Sequence, residues 1–332
     1  MTASEARDGT AADLDVGVIL PQYGTAFETV RKTALEAESL GYDALWLEDH
    51  FQSWIGDPRR NTYECWTTLS AVAEATDRIR LGTLVTSQSY RHPALLAKMA
   101  ATVDHVSDGR LELGLGAGWY ESEYDRFGYE FREPPAKRLR RLAETVEILQ
   151  GLWTNDTYSH EGRHLEVDLE DAFCEPQPVQ EPHPPIWIGG GGEQFTLRYT
   201  AALADGWNYG TLESEGFAGK LDVLREYCES EARYDEIRKS AELFVFVGET
   251  TAEAEKKREQ FKREVLPDEP SEPREFFLGG YLETAPTGTP EAVRERLDAY
   301  AAVGIETVML AIPNAADDAD DSLALLADEL LA

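Results

Sequence analysis

The sequence predicts an α/β protein built as a single (β/α)8 TIM barrel. Three observations lead there. Eight short apolar runs without polar alternation, the pattern of parallel strands covered on both faces, alternate with segments of helical spacing. No composition break or linker divides the 332 residues, which suffice for one large barrel. The residue types that carry chemistry cluster just after the apolar runs, where parallel α/β folds bind ligands. A doubly wound open sheet is the competing architecture, and the strand count favours the barrel.

In chain order, Met1 to Asp13 is polar and aperiodic and is read as a disordered tail, so the barrel domain is placed at 14–332. Val16 to Leu20 is the first strand, and Phe27 to Leu40 a helix that Gly41 closes. Ala44 to Leu47 and the helix Tyr63 to Ala75 form the second unit. Ile79 to Val85 is the third strand, and Pro93, suited to a first helical turn, opens the helix reaching Val106. Leu111 to Leu115 and Lys137 to Leu152 are the fourth unit, followed by a β-like insertion from Thr157 to Phe173. The later strands are Pro185 to Ile188, Gly206 to Asn208, Leu243 to Val247 and Thr307 to Ala311. Their helices are Phe195 to Leu203, Phe217 to Ala232, Ala252 to Arg263 and Pro290 to Ala302, with Asp321 to Leu331 last. A Pro- and Glu-rich run to about Pro273 is a second insertion, after strand seven.

Composition narrows the function. No apolar run reaches the roughly 18 residues of a membrane helix, and the amino end has no signal-like segment, so a cytoplasmic protein is expected. Cys65, Cys174 and Cys228 are too scattered for a disulfide framework or a zinc cluster, and no metal is expected. Asp plus Glu number 63 against 31 Lys plus Arg, a formal net charge of −32 that repels nucleic acid and anionic membrane. Only 8 of the basic residues are Lys. Salt would screen the self-repulsion of such a surface, so the composition points to a halophilic cytoplasm.

The chemistry centres on WLEDHFQSW, residues 46–54, where an apolar strand ends and at once supplies Asp49, His50 and Trp54. Asp49 and His50 could simply cap a loop and pair with each other. Two glycine-rich turns lie at other strand ends: LGLGAGW (113–119), with Gly116, Ala117 and Gly118, and IGGGGEQF (188–195), with Gly189, Gly190, Gly191 and Gly192. Glycines let backbone N–H groups approach an anion, and a following helix adds its positive end, so a phosphate site explains both turns. Neither completes a dinucleotide fingerprint. Glycines that merely permit tight turns are the plainer alternative. His160 and His164 lie in a turn rather than on one helix face, which argues against a metal pair.

The ordered succession of LGYDALWLEDHFQSW (40–54), the stretch 78–124 that ends in LGLGAGWYESEY, and PPIWIGGGGEQFTLRYTAALADGWN (184–208) resembles the luciferase-like monooxygenase superfamily, specifically its branch that uses the deazaflavin coenzyme F420. The resemblance runs over nearly the whole chain from Val16. It implies a bacterial-luciferase-like barrel with the coenzyme at the carboxyl ends of the strands, held by Gly116 to Gly118 and Gly189 to Gly192. It also implies a non-prolyl cis peptide against the deazaflavin ring, which by position is Leu84 to Val85. DHFQSW resembles the segment of F420-dependent sugar-phosphate dehydrogenases that supplies an active-site histidine and tryptophan, matched by His50 and Trp54. Those enzymes carry a carboxylic acid directly after the GxG turn where this chain has Trp119, so a bulkier or more apolar substrate is expected.

On this basis His50 is the expected general acid or base, with Asp49 orienting or charging it. Trp54 and Trp119 are expected as aromatic walls, and Tyr23 and Glu64 as further candidates for the pocket mouth. With Trp119 in the acid's place, His50 is expected to be the only proton-transfer group within reach. The expected function is hydride transfer between F420 and a small organic molecule. Two alternatives stand beside it: an FMN-dependent monooxygenase fed by a partner reductase and using oxygen, and a flavin-binding protein without turnover. A homodimer is the expected assembly.

Overall fold

The computed structural model describes residues 10–131, 134–229, 232–267, 269–313 and 320–331. Eight parallel strands line up as β1 (Asp15–Ile19), β2 (Ala44–Leu47), β3 (Arg80–Thr83), β4 (Leu111–Gly116), β5 (Ile186–Gly189), β6 (Gly206–Gly210), β7 (Arg238–Phe244) and β8 (Thr307–Ala311). Each pairs with the next, and β1 pairs with β8 in the register Asp15↔Thr307 to Ile19↔Ala311, which closes the barrel. The outer layer is α1 (Phe27–Leu40), α2 (Cys65–Ala75), α3 (Pro93–Val106), α4 (Glu121–Phe127), α5 (Pro135–Thr154), α6 (Thr196–Leu203), α7 (Ser214–Cys228), α8 (Thr251–Val265), α9 (Pro273–Thr284), α10 (Pro290–Ala302) and α11 (Ser322–Leu330). No described helix is long and apolar enough to cross a membrane.

Local signals act as the sequence implies. α1 buries Val30, Thr33, Ala34 and Ala37, one stripe at helical spacing, and ends at Gly41 with φ 94°. His92 accepts a hydrogen bond from the Ala94 N–H at 3.2 Å, and Pro93 follows in the first turn of α3. The insertion after β4 contains an antiparallel hairpin, Tyr158–His160 with Leu169–Ala172.

Three expectations need correction. The seventh barrel strand is Arg238–Phe244 rather than Leu243 to Val247. Its early residues are polar because they close the barrel floor, where Arg238 donates to Glu112 and Lys239 pairs with Glu306. Phe246–Val247 leaves the barrel and pairs with Thr287–Gly288. Secondly, α9 occupies a stretch where no helix was expected, since Gly279 and Gly280 break its sequence pattern. Thirdly, part of the expected tail is folded: Ala11–Asp13 forms a 3-10 turn, with Ala11 buried and its N–H donating to Asp298 at 2.6 Å. Residues 1–9 of that tail lie outside the described residues.

The barrel lumen is packed, not hollow. Trp46 and Trp187 meet edge to face at 5.9 Å, with Ile19, Leu84 and Met309 around them. Gly206 makes room for this layer, because a Cβ there would sit 2.2 Å from the Trp187 ring. The tryptophans form a floor that confines open space to the carboxyl ends of the strands.

Candidate active site

A cavity of about 290 Å³ opens above that floor. The end of β2 contributes Glu48, Asp49 and His50, and β7 contributes Glu242. The β4 turn supplies Gly116 to Tyr120, and α9 supplies Phe277 and Tyr281. Along β2 the inward positions alternate Ala44, Trp46, Glu48, so the packed floor and the first carboxyl group of the site lie on one face of one strand.

His50 is paired, but not with Asp49. Its Nδ1 lies 2.9 Å from Oε2 of Glu123, a residue of α4 with a fully buried side chain. Glu123 also accepts from the backbone N–H groups of Phe51 and Gln52 and from the Tyr90 hydroxyl. Burial alone would lower the His50 pKa, yet the Glu123 charge and hydrogen bond outweigh it and raise the imidazole above its ordinary value. The same balance acts on Glu123: burial would raise it, and His50, Tyr90 and Gln52 bring it below the usual range. Asp49 lines the cavity, but its carboxylate is bound bidentately by Arg91 at 2.5 and 3.0 Å. The expected orienting role therefore falls to Glu123, because α4 delivers a carboxylate to Nδ1 and Arg91 occupies that of Asp49.

The expectation that His50 is the only proton-transfer group in reach is also overturned. Glu48 accepts from Trp54 Nε1 at 2.9 Å, and burial pushes its carboxyl up against the pull of His50 and that N–H. Glu242 faces the same cavity. Trp54 and Trp119 stand where expected: their rings meet edge to face at 5.8 Å, and Trp119 lies 5.8 Å from His50 and 5.0 Å from Phe277. Tyr23 and Glu64 do not line this cavity. Tyr23 lines a smaller neighbouring one, while Glu64 caps α2 through the Thr67 N–H and pairs with Arg91 at 2.5 Å.

The glycine turns form the other end. The Leu84–Val85 bond is cis. The Val85 side chain fits between the two turns because neither carries a Cβ: one at Gly116 would lie 2.6 Å from it, and one at Gly189 3.0 Å. Ala117, Gly118 and Gly190 also line the cavity, whereas Gly191 and Gly192 fall outside its lining; a Cβ on Gly191 would meet the Tyr209 ring. Thr196, first residue of α6, and Arg138 of α5 complete this end. Arg138 is buried and donates from Nε to the Gly118 carbonyl at 3.3 Å, fixing a cation beside the turn. Open glycine backbone, a helix start and a buried guanidinium suit an anionic phosphate-bearing group.

Sequence reasoning missed Glu48, Glu123, Glu242 and Arg138. Inner-face alternation along β2 would have found Glu48. Glu123 had a weaker signal, an acid in the first turn of a short helix after the glycine turn, and Arg138 none beyond its charge.

The chain is 34% identical over 176 residues to an F420-dependent glucose-6-phosphate dehydrogenase of Amycolatopsis mediterranei, covering 52% of this chain and 50% of that protein. It is 28% identical over 225 residues to an FMNH2-dependent dimethylsulfone monooxygenase of Pseudomonas putida, covering 68% of this chain and 59% of that one. Its matches span about half the length of the first of these relatives. An F420-dependent secondary alcohol dehydrogenase, solved with an F420–acetone adduct, superposes with a TM-score of 0.81 at 18% identity over 95% of this chain and 98% of the other, which supports the barrel fold. The model of the luciferase-like monooxygenase family matches residues 9–307, and the chain belongs to that family.

Proposed function

We propose that this protein is an F420-dependent oxidoreductase of a small organic substrate, with His50 as the group that gives or takes the substrate's proton. The observation that carries this reading is the buried His50–Glu123 pair at 2.9 Å on the wall of a cavity whose far end suits a phosphate-bearing coenzyme. When bound, F420 would supply a carrier that accepts or donates a hydride. Arg138, the Gly116 to Gly118 turn and the Gly189 and Gly190 backbone would hold its anionic part, and Val85 would support its ring. Because Glu123 engages Nδ1, Nε2 is the ring nitrogen left for the substrate. Trp54, Trp119 and Phe277 would exclude water and pack the substrate's apolar part.

Titrating the pure protein separately with F420 and FMN, and following fluorescence quenching, tests the coenzyme. Binding of F420 is the expected result. Tight FMN binding without F420 binding would instead favour the oxygen-using monooxygenase, and binding of neither would remove both. His50→Ala is expected to lower turnover by roughly 100-fold or more while sparing coenzyme binding. Full activity in that variant would remove His50 from the mechanism.

A further inference from the structure

Three carboxyl groups that line the cavity lie outside the His50–Glu123 pair: Asp49, held by Arg91, Glu48, which accepts from Trp54, and Glu242. The inner face of β7 presents Arg238, Ser240, Glu242 and Phe244 in turn. Arg238 serves the barrel floor through Glu112, and Ser240 accepts from the Asn208 amide at 3.1 Å. Glu242 stands above them at the level of the open cavity, and no lysine or arginine among the described residues pairs with it. It also lines the smaller cavity, about 90 Å³, whose walls include Ile19, Phe244, Phe261 and Ile312. Glu48, Trp54 and Glu242 belong to both spaces, so this carboxyl group stands where they join.

The charge layout of the main cavity is one-sided. Its arginine, Arg138, lies beside the glycine turn. The aromatic end of Trp54, Trp119, Phe277 and Tyr281 carries Glu48, Glu242 and the His50–Glu123 pair, and among the described residues no lysine or arginine lines it. A phosphate or carboxylate on the substrate would meet no cationic fork there and would face several carboxyl groups.

We propose that Glu242 is a specificity-determining residue whose protonated carboxyl donates a hydrogen bond to a carbonyl oxygen of the substrate, so that the aromatic end admits neutral carbonyl compounds and refuses anions. This rests on the assignment of the aromatic end to the substrate. The surroundings keep the proton in place: burial and the facing Glu48 charge push Glu242 up to about 8, against the pull of Tyr281 and His50. The titratable and charged groups around it are Glu48 and His50 from the end of β2, Tyr281 from α9, and Tyr23 and Arg60 across the smaller cavity. Below that pH the carboxyl donates. Above it, the ionised group has no proton to donate to a carbonyl, and its charge repels that acceptor oxygen.

The test compares probes of one size and different charge, acetophenone and benzoate, by isothermal titration of the F420-loaded protein. Coenzyme binding is established beforehand by fluorescence quenching, so failure of the coenzyme assignment is seen separately; in that event the same probe titrations are run on the coenzyme-free protein. Acetophenone is expected to bind about tenfold or more tighter than benzoate near neutral pH. Its affinity is expected to fall about tenfold as the pH is raised through the Glu242 transition. In Glu242→Gln, which carries a neutral donor at every pH, F420 affinity is unchanged and that fall is absent. Benzoate binding as tightly as acetophenone would overturn the proposal, as would an identical pH dependence in the variant. Failure of F420-binding protein to bind either probe would overturn it too.

Discussion

At the scale of single residues, His50 owes its character to a partner 73 positions away. The pair also makes stability depend on pH, and the sign follows from the two shifts. The His50 pKa is raised in the fold, so its contribution is complete below the ordinary 6.5 and is lost as pH rises through the folded value. The Glu123 pKa is lowered, so its contribution is complete above the ordinary 4.5 and is lost as pH falls through the folded value. The pair therefore stabilises fully between 4.5 and 6.5. Glu123→Gln removes the largest of the charges that raise His50 and leaves only those of Glu48 and Asp49 against the downward pull of burial. If His50 acts as an acid, the pH at which turnover declines with rising pH is expected to move lower in this variant, while F420 affinity stays. Steady-state kcat profiles of the two proteins would show the shift, and superimposed profiles would uncouple Glu123 from the proton transfer. Chemical denaturation near pH 6 is expected to show the variant about 1–3 kcal/mol less stable.

At the scale of elements, the site depends on strands whose inner faces alternate bulk and absence of bulk. Trp46 and Trp187 fill the lumen, and Gly206 leaves room for one of them. Gly206→Ala is expected to destabilise the fold by about 1–3 kcal/mol, because a methyl group 2.2 Å from a ring must displace that ring or the strand. Urea unfolding would measure it, and an unchanged midpoint would show that the layer relaxes freely. The turn after β4 makes a different kind of prediction. At Gly116 a methyl group would press on Val85 rather than on the floor, so Gly116→Ala is expected to weaken coenzyme binding more than stability. Parallel measurements of F420 affinity and melting temperature would separate the two. Much of this scale was legible in the sequence: the Gly41 cap, the His92–Pro93 helix start and seven of the eight strands needed only local patterns. β7 was displaced because its inner face is Arg238, Ser240 and Glu242, polar residues that look like loop until Glu112 and the cavity are known to lie opposite.

At the scale of the whole molecule, the formal net charge of −32 acts on every solvent-exposed element at once. We propose that the chain is adapted to a salt-rich interior. Its melting temperature is expected to climb between dilute buffer and molar KCl as the Debye length falls from about 30 Å to about 3 Å. A melting temperature flat across that range would sink the idea. The buried pairs at the site, His50–Glu123 and Arg91–Asp49, are shielded from mobile ions, so salt is expected to change the stability of the shell more than the pH profile of turnover.

The sequence by itself determined the barrel, from the alternation of apolar runs with helical segments, and the family, from the resemblance of ordered motifs over nearly the whole chain. Spacing within one or two neighbouring elements placed His50, Trp54, Trp119 and the glycine turns at strand ends. Only the tertiary structure decided which acid serves which base. Asp49 follows directly on the strand and is held by Arg91, while Glu123 arrives from a helix that the sequence pattern hid. Glu48 and Glu242 likewise enter the site because barrel closure turns the inner faces of β2 and β7 toward one cavity. Local periodicity states that a residue points inward; what it meets there is settled by curvature and closure, which involve all eight strands together.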